Sequence, residues 1–288
     1  MQFVIEHGGE VLPVMDNHLH LDPENGKGLS AVDDFVRAGG THMIILNKPS
    51  WELGVCATTG QDFQPVFETT MQTVAAANKR LPGKAWGILG IHPGLISRLV
   101  NDRGFEPTEA ATLMKAGLRE AADYVSGSKA LGLKSGRPHY EVTDMVWEAS
   151  NDVMKESFRL GAQHDCVVQL HTEATKDLQK VANWAKARGL DIERVIKHYA
   201  EGTLRGPTPS VMSDRDRLST AASTQTPFLM ETDFIDDPDR PGAVLGPKTV
   251  PRRVRWLLEQ GHIEAVRRAH VSTPAAVYDI DTRATLVD

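Results

Sequence analysis

Val14-Met15-Asp16-Asn17-His18-Leu19-His20-Leu21-Asp22 is the stretch on which the fold turns. An apolar run from Val11 leads into it, and Pro23, Gly26 and Gly28 follow it. Apolar residues ended by Pro and Gly over this length predict a buried strand running into a loop. Side chains alternate along a strand, so His18 and His20 are expected on one face, with Asp16. Two neutral imidazoles side by side near a strand end suit one divalent cation. A lone His-x-His equally suits two buried histidines with ordinary hydrogen bonds, so the decision falls to the rest of the chain.

Strand-like runs alternate with helix-period stretches on the C-terminal side. Further strands are predicted over 41–47 (THMIILN), 85–91 (AWGILGI), 130–133, 166–170 (CVVQL), 194–197 (RVIK), 208–212 and 228–231 (FLME). Between and after them, 30–38, 62–81, 108–127, 146–160, 178–185, 214–222, 251–260 and 263–269 carry helical spacing, as in Phe67, Met71 and Val74. Thr273-Pro274 predicts a last helical turn, with an N-cap residue followed by proline. Eight such alternations predict an α/β fold, a parallel (β/α)8 TIM barrel. No linker-like tract divides the chain, so a single domain over 1–288 is expected. An open doubly wound sheet lacks support, because no G-x-G-x-x-G follows an early strand.

Composition narrows the class. The formal net charge of -6 over 288 residues argues against a dedicated nucleic-acid coat. Cys56 and Cys166 form no CxxC pair, which excludes a thiolate zinc site and suits a reducing compartment. The polar N-terminus does not read as a secretory segment, and no apolar run approaches membrane-spanning length. A soluble cytoplasmic protein with no membrane partner is expected.

A barrel gathers its chemistry where strands end and βα loops begin. The predicted strand ends carry His18 and His20, His92, Lys134, His171, His198 and Asp233. Imidazoles and a carboxylate at independent strand ends point to a divalent-metal site, and a shared site can hold two ions. Asp16 and Glu231 share the faces of His18 and Asp233 one step behind them and read as support, Glu231 reading equally as a buried barrel-layer carboxylate paired with a cation. His92, ahead of Pro93-Gly94, is expected at the mouth. Arg137 and His139 are candidates for binding an anionic group, with Lys48, Lys248, Arg252 and Arg253 as further rim candidates, though Lys248, Arg252 and Arg253 read first as a solvated helix start.

Several of these stretches together resemble the TatD family of metal-dependent hydrolases, within the amidohydrolase superfamily. They are Asp16-Asn17-His18-Leu19-His20-Leu21-Asp22, Gly90-Ile91-His92-Pro93-Gly94, His171, Lys197-His198-Tyr199 and Glu231-Thr232-Asp233. Arg137-Pro138-His139-Tyr140 and Asp236-Asp237-Pro238-Asp239-Arg240-Pro241-Gly242 resemble the family's archaeal-type branch. The resemblance implies that His18, His20 and Asp233 ligate one metal and His171 and His198 the other. It also implies that Asp233 is the base toward the attacking water. Zn, Mn and Mg are all compatible.

The chain departs from the family at the fourth strand, where a metal-bridging Glu is usual and Leu133-Lys134-Ser135-Gly136 stands instead. An ammonium has no lone pair to offer a cation. Other branches of the superfamily bridge their metals with a carboxylated lysine, which is the expectation for Lys134. The alternative is an ammonium that replaces one metal electrostatically. The resulting reading is a metal-dependent hydrolase acting on phosphoester bonds, with DNA, a nucleotide or a small molecule as substrate. A small-molecule lactonase, amidohydrolase or phosphotriesterase-like enzyme is the first alternative, and a metal-binding protein without turnover the second.

Overall fold

The computed structural model describes residues 3–239 and 244–286. Arg240, Pro241 and Gly242 of the quoted motif lie outside the described residues. The main sheet contains β3 (Met15–His20), β4 (His42–Leu46), β5 (Ala85–Gly90), β6 (Gly132–Gly136), β7 (Val167–His171), β8 (Val195–Ala200), β9 (Thr208–Met212), β10 (Leu229–Glu231) and β11 (Phe234–Ile235). Strands β3 to β10 pair in parallel in chain order, and β11 pairs in parallel with β3. The two ends of the sheet are therefore β10 and β11, separated in the chain by Thr232 and Asp233 alone. A sheet whose end strands are consecutive in the chain has curled round on itself.

The strands are buried on both faces. Every residue of β3, β4 and β6 is buried, which is why they read as near-continuous apolar runs rather than as alternating ones. Met15, Ile44, Leu46, Ile88, Val167, Ile196 and Leu229, from six strands, meet inside the curl, where Val277 and Tyr278 also pack. Helices α1 (Leu29–Arg37), α2 (Gln64–Ala77), α3 (Leu95–Arg103), α4 (Pro107–Ser126), α5 (Asp144–Gln163), α6 (Gln179–Lys186) and α7 (Arg215–Ala222) connect the strands. The C-terminal part adds α8 (Thr249–Glu259), α9 (Ile263–Arg267) and α10 (Thr273–Tyr278). Phe67 and Phe158 are fully buried in the cluster shared by β5, β6, β7 and the helices outside them.

Among the described strands and α-helices, four elements escaped the sequence reading. The hairpin β1 (Ile5–His7) and β2 (Glu10–Leu12) has strands of three residues, too short to show a period. Its turn is Gly8-Gly9, with φ of 61° and 82°, the positive values that a tight two-residue hairpin demands. Helix α3 buries Leu95, Ile96 and Leu99 and stops at Gly104 in the left-handed region. Strand β11 is two residues long. Strand β6 also runs further than expected, through Lys134 to Gly136. Polar side chains do not end a parallel ladder, because their backbone groups still pair.

Candidate metal centre and pocket

His18 and His20 lie within β3, and their Nε2 atoms stand 3.3 Å apart. Each imidazole has its other nitrogen committed. His18 Nδ1 lies 2.7 Å from Gln169 Oε1, and His20 Nδ1 lies 3.2 Å from the Leu46 carbonyl. Both partners are acceptors, so both Nδ1 atoms carry the proton and both Nε2 lone pairs face each other. Gln169 is itself fixed, donating to the Asn17 carbonyl and the Tyr278 hydroxyl, which donates to Asn17 Oδ1 at 2.6 Å. Burial, with the Lys134 charge next, holds both histidines well below the ordinary imidazole range, so they are neutral.

Lys134 Nζ sits 3.2 Å from His18 Nε2 and 3.3 Å from His20 Nε2. Burial pulls its pKa down to about 8, against the charges of Asp233, Glu231 and Glu52. Gly136 follows at φ 150°, and a β-carbon there would collide with the His171 carbonyl, so the close approach of β6 to β7 requires glycine. Asp233 lies at the break between β10 and β11 with φ 47°, and its Oδ1 is 3.7 Å from His18 Nε2. Left-handed backbone is uncommon outside glycine and marks a position held by its surroundings.

The second half of the site is a line of imidazoles. His171 Nδ1 is 2.7 Å from His198 Nε2, and His171 Nε2 is 2.7 Å from His139 Nδ1. His198 stacks on His18 with centroids 4.0 Å apart. Its Nδ1 has no hydrogen-bond partner among the described residues and faces Glu231 Oε1 at 3.4 Å. Glu231 accepts from Tyr199 N–H at 2.6 Å and from the Ser210 hydroxyl. Burial, then Asp233, pushes its carboxyl well above the usual range.

The donor set fits divalent cations. Among the described residues, His18, His20 and Asp233 form one group whose ligand atoms lie within 4.8 Å of one another, and His18, His198 and Glu231 form another. Lys134 already meets the opposed imidazole lone pairs, but with Asp16, Glu231 and Asp233 buried close together one ammonium leaves the acids undercompensated, which favours further positive charge. Asp16 clamps the break in the strand from behind. It accepts from Thr232 N–H at 3.0 Å and from Thr232 Oγ1 at 2.6 Å. Burial raises its pKa to about 7.

A cavity of about 620 Å³ opens onto these groups. His20, His92, Lys134, His139, His171, His198 and Asp233 line it, together with Trp51, Glu52, Arg98, Lys197 and Tyr199. His92 accepts the Gly94 N–H at Nδ1 (3.0 Å), which leaves Nε2–H as its donor. Its pKa falls to about 3, through burial first and then Lys134 and His139.

Other expected substrate groups are elsewhere. Arg137 does not line the cavity: its guanidinium is buried, paired with Glu173, bonded to Asn151 Oδ1 at 3.0 Å and stacked over Trp147. Lys48 is buried against Asp22 at 2.9 Å, Lys248 pairs with Asp34, and Arg253 donates to the Ser213 carbonyl. A basic side chain near a strand end reads the same from sequence whether or not an acid from another loop meets it. Gln169, Trp51, Arg98 and Lys197 went unnoticed. Lys197 lies beside His198 in a quoted motif, while Trp51 and Arg98 carry no local signal.

The TatD related DNase family model matches residues 15–279. The chain belongs to this family. A curated relative, the uncharacterised protein MJ1127 of Methanocaldococcus jannaschii, is 35% identical over 285 residues, covering 94% of this chain and 97% of that one. Among solved structures, the TatD homologue YJJV of Escherichia coli K12 has a TM-score of 0.57 at 15% identity, over 93% of this chain and 98% of that one. The lactonase Lmo2620 of Listeria monocytogenes has a TM-score of 0.57 at 14% identity, over 93% and 94%. An organophosphorus hydrolase of Deinococcus radiodurans has a TM-score of 0.51 at 14%, over 93% and 92%. At these identities the likeness is one of fold. The TatD-family chain thus has the fold of metal-dependent hydrolases, and no helix among its described residues is long and apolar enough to cross a membrane.

Proposed function

We propose that this chain cuts phosphoester bonds with a metal-activated water, on a single-domain (β/α)8 barrel. In that reading β10 and β11 are one strand broken at Asp233, its halves pairing with β9 and β3. The observation that carries the function is the meeting of two unprotonated imidazole nitrogens, from His18 and His20, with Asp233 and Lys134 beside an accessible cavity.

His18, His20 and Asp233 would hold one divalent cation, and His171 and His198, with Glu231 against His198, a second. When bound, such ions lower the pKa of a water from about 15.7 toward about 7 and stabilise charge on the bond being cut. The protein's own groups do the rest. Gln169 and the Leu46 carbonyl fix the tautomers of His18 and His20. Asp233 takes the proton of the attacking water. His92 offers its Nε2–H to the substrate. Lys134, as a carbamate, would supply the anion that the family usually takes from Glu.

A small-molecule reading, hydrolysis of a lactone or phosphotriester, gains support from the cavity, whose volume falls within the roughly 300–1,000 Å³ of small-ligand pockets. The test is hydrolysis by the Zn-, Mn- and Mg-loaded protein of single-stranded DNA, nucleotide phosphodiesters and lactones, with Asp233→Asn as control. Phosphodiester cleavage abolished by Asp233→Asn supports the proposal. Lactone cleavage alone transfers the assignment to the second reading, and no turnover on any class overturns both.

A further inference from the structure

We propose that Arg98, laid on the ring of Trp51, is the pocket's anion-recognition group, and that the substrate carries a carboxylate or phosphate remote from the bond that is cut. This rests on the cavity being the substrate pocket. Arg98 belongs to the first turn of α3 and lines the cavity. Its guanidinium carbon lies 4.8 Å from the centre of the Trp51 ring. Trp51 is half-buried against the large core cluster, so the surface on which the guanidinium rests is fixed. A planar guanidinium held flat on an aromatic face keeps its outward N–H edge for a carboxylate or phosphate, at reduced entropic cost.

Charge accounting points the same way. Among the described residues, three Lys or Arg side chains line the cavity: Arg98, Lys134 and Lys197. Lys134 lies between two imidazoles, and Lys197 donates to the His198 carbonyl. Arg98 pairs with Asp102 at 4.0 Å, where both side chains are more than half exposed. A pair of that kind contributes little and yields readily to a ligand. Of the two acids that line the same cavity, Glu52 is paired with Lys48 at 3.5 Å and Asp233 lies against His18, so neither cancels Arg98.

Position makes the anion a remote one. Trp51 meets His92 edge-on at 5.4 Å, His92 lies 4.9 Å from His171, and His171 lies 4.9 Å from His198. Between Arg98 and the proposed ligand His171 stand the rings of Trp51 and His92, which sets an anion held by Arg98 apart from the groups around the reacting atoms.

The test is calorimetric binding to the full-length, metal-loaded protein. The probes are phenylacetate and the non-hydrolysable phenylphosphonate, with phenylacetamide as the neutral comparator. Arg98→Gln should weaken binding of the anions by about 10-fold or more, the loss of a charge-assisted contact, and leave the amide unchanged. Arg98→Lys should recover part of that loss, because an ammonium lacks the flat two-point fork. A loss confined to one anion identifies the group as phosphate or as carboxylate. Equal anion affinity in wild type and Arg98→Gln, or no anion binding by wild type, overturns the inference. Arg98-dependent binding in a protein that hydrolyses none of the ester classes would overturn the hydrolase reading alone.

Discussion

Lys134→Met removes the amine at the departure from the family while retaining a long apolar stem that fills the buried space. The structure sets the size of the effect. With a pKa brought from 10.5 to about 8, the neutral amine at pH 7 is about 10% of the population rather than about 0.03%, a rise of about 300-fold. The neutral amine is the form that adds CO2 to give a carbamate, and its Nζ already stands 3.2 and 3.3 Å from the two Nε2 atoms. Metal content per chain, counted by plasma mass spectrometry after dialysis, should be about two with bicarbonate and fall toward about one in CO2-depleted buffer. Lys134→Met should give about one in both buffers. An ammonium and a dication about 4 Å apart repel by about 8 kcal/mol at an effective dielectric of about 20, so a charged Lys134 would instead oppose metal binding. Metal content indifferent to bicarbonate, with tighter metal binding by Lys134→Met, would refute the carbamate and identify a resident cation.

Asp233→Asn should lower kcat by about 10²–10⁴-fold on whichever ester is cleaved, since an amide cannot take a proton. Asn tolerates the left-handed backbone at this position, so the metal-free proteins should melt alike while metal binding weakens, and near-normal kcat at full metal occupancy would assign the base elsewhere. Asp236→Ala should destabilise by roughly 3–6 kcal/mol in urea titration, because Asp236 accepts the N–H groups of Asp22, Lys27 and Gly28 at 3.0, 2.7 and 2.7 Å. A change below about 1 kcal/mol would show that this clasp between the β11 and β3 loops is dispensable. At the opposite end of the sheet, burial holds His270 at a pKa of about 3, below its ordinary 6.5, so the unfolded chain binds more protons as pH falls from 6.5 toward 3. Its contribution to stability is full above pH 6.5, and about 2.7 kcal/mol of it should be lost by about pH 4.5. His270→Asn keeps an acceptor for Met15 N–H and should flatten the decline measured in urea between those pH values. A parallel decline in both proteins would refute it.

Strand-to-helix alternation was legible because parallel strands buried on both faces are written as apolar runs, and outer helices as 3.6-residue stripes. The end-of-strand histidines were legible because imidazoles and a carboxylate recur at points that one sheet brings together. The sequence reading placed Lys134 at the departure from the family, and the fold sets its Nζ between His18 and His20. Alternation along a strand also put His18 and His20 on one face, as their 3.3 Å contact requires. What local sequence could not contain is pairing at a distance. Arg137 looked like a cation for substrate until Glu173, from the loop after β7, met it. Gln169 looked like a core amide until the curl of the sheet carried it to His18, 151 residues away in the chain. Arg98 became a pocket residue through a ring donated by the loop after β4. Burial and hydrophobic period are properties of a segment, so the sequence determined which segments become strands or helices and which polar residues stand at their ends. Charge neutralisation, tautomer choice and access to solvent depend on which distant group arrives within about 4 Å, and the tertiary structure alone decided those.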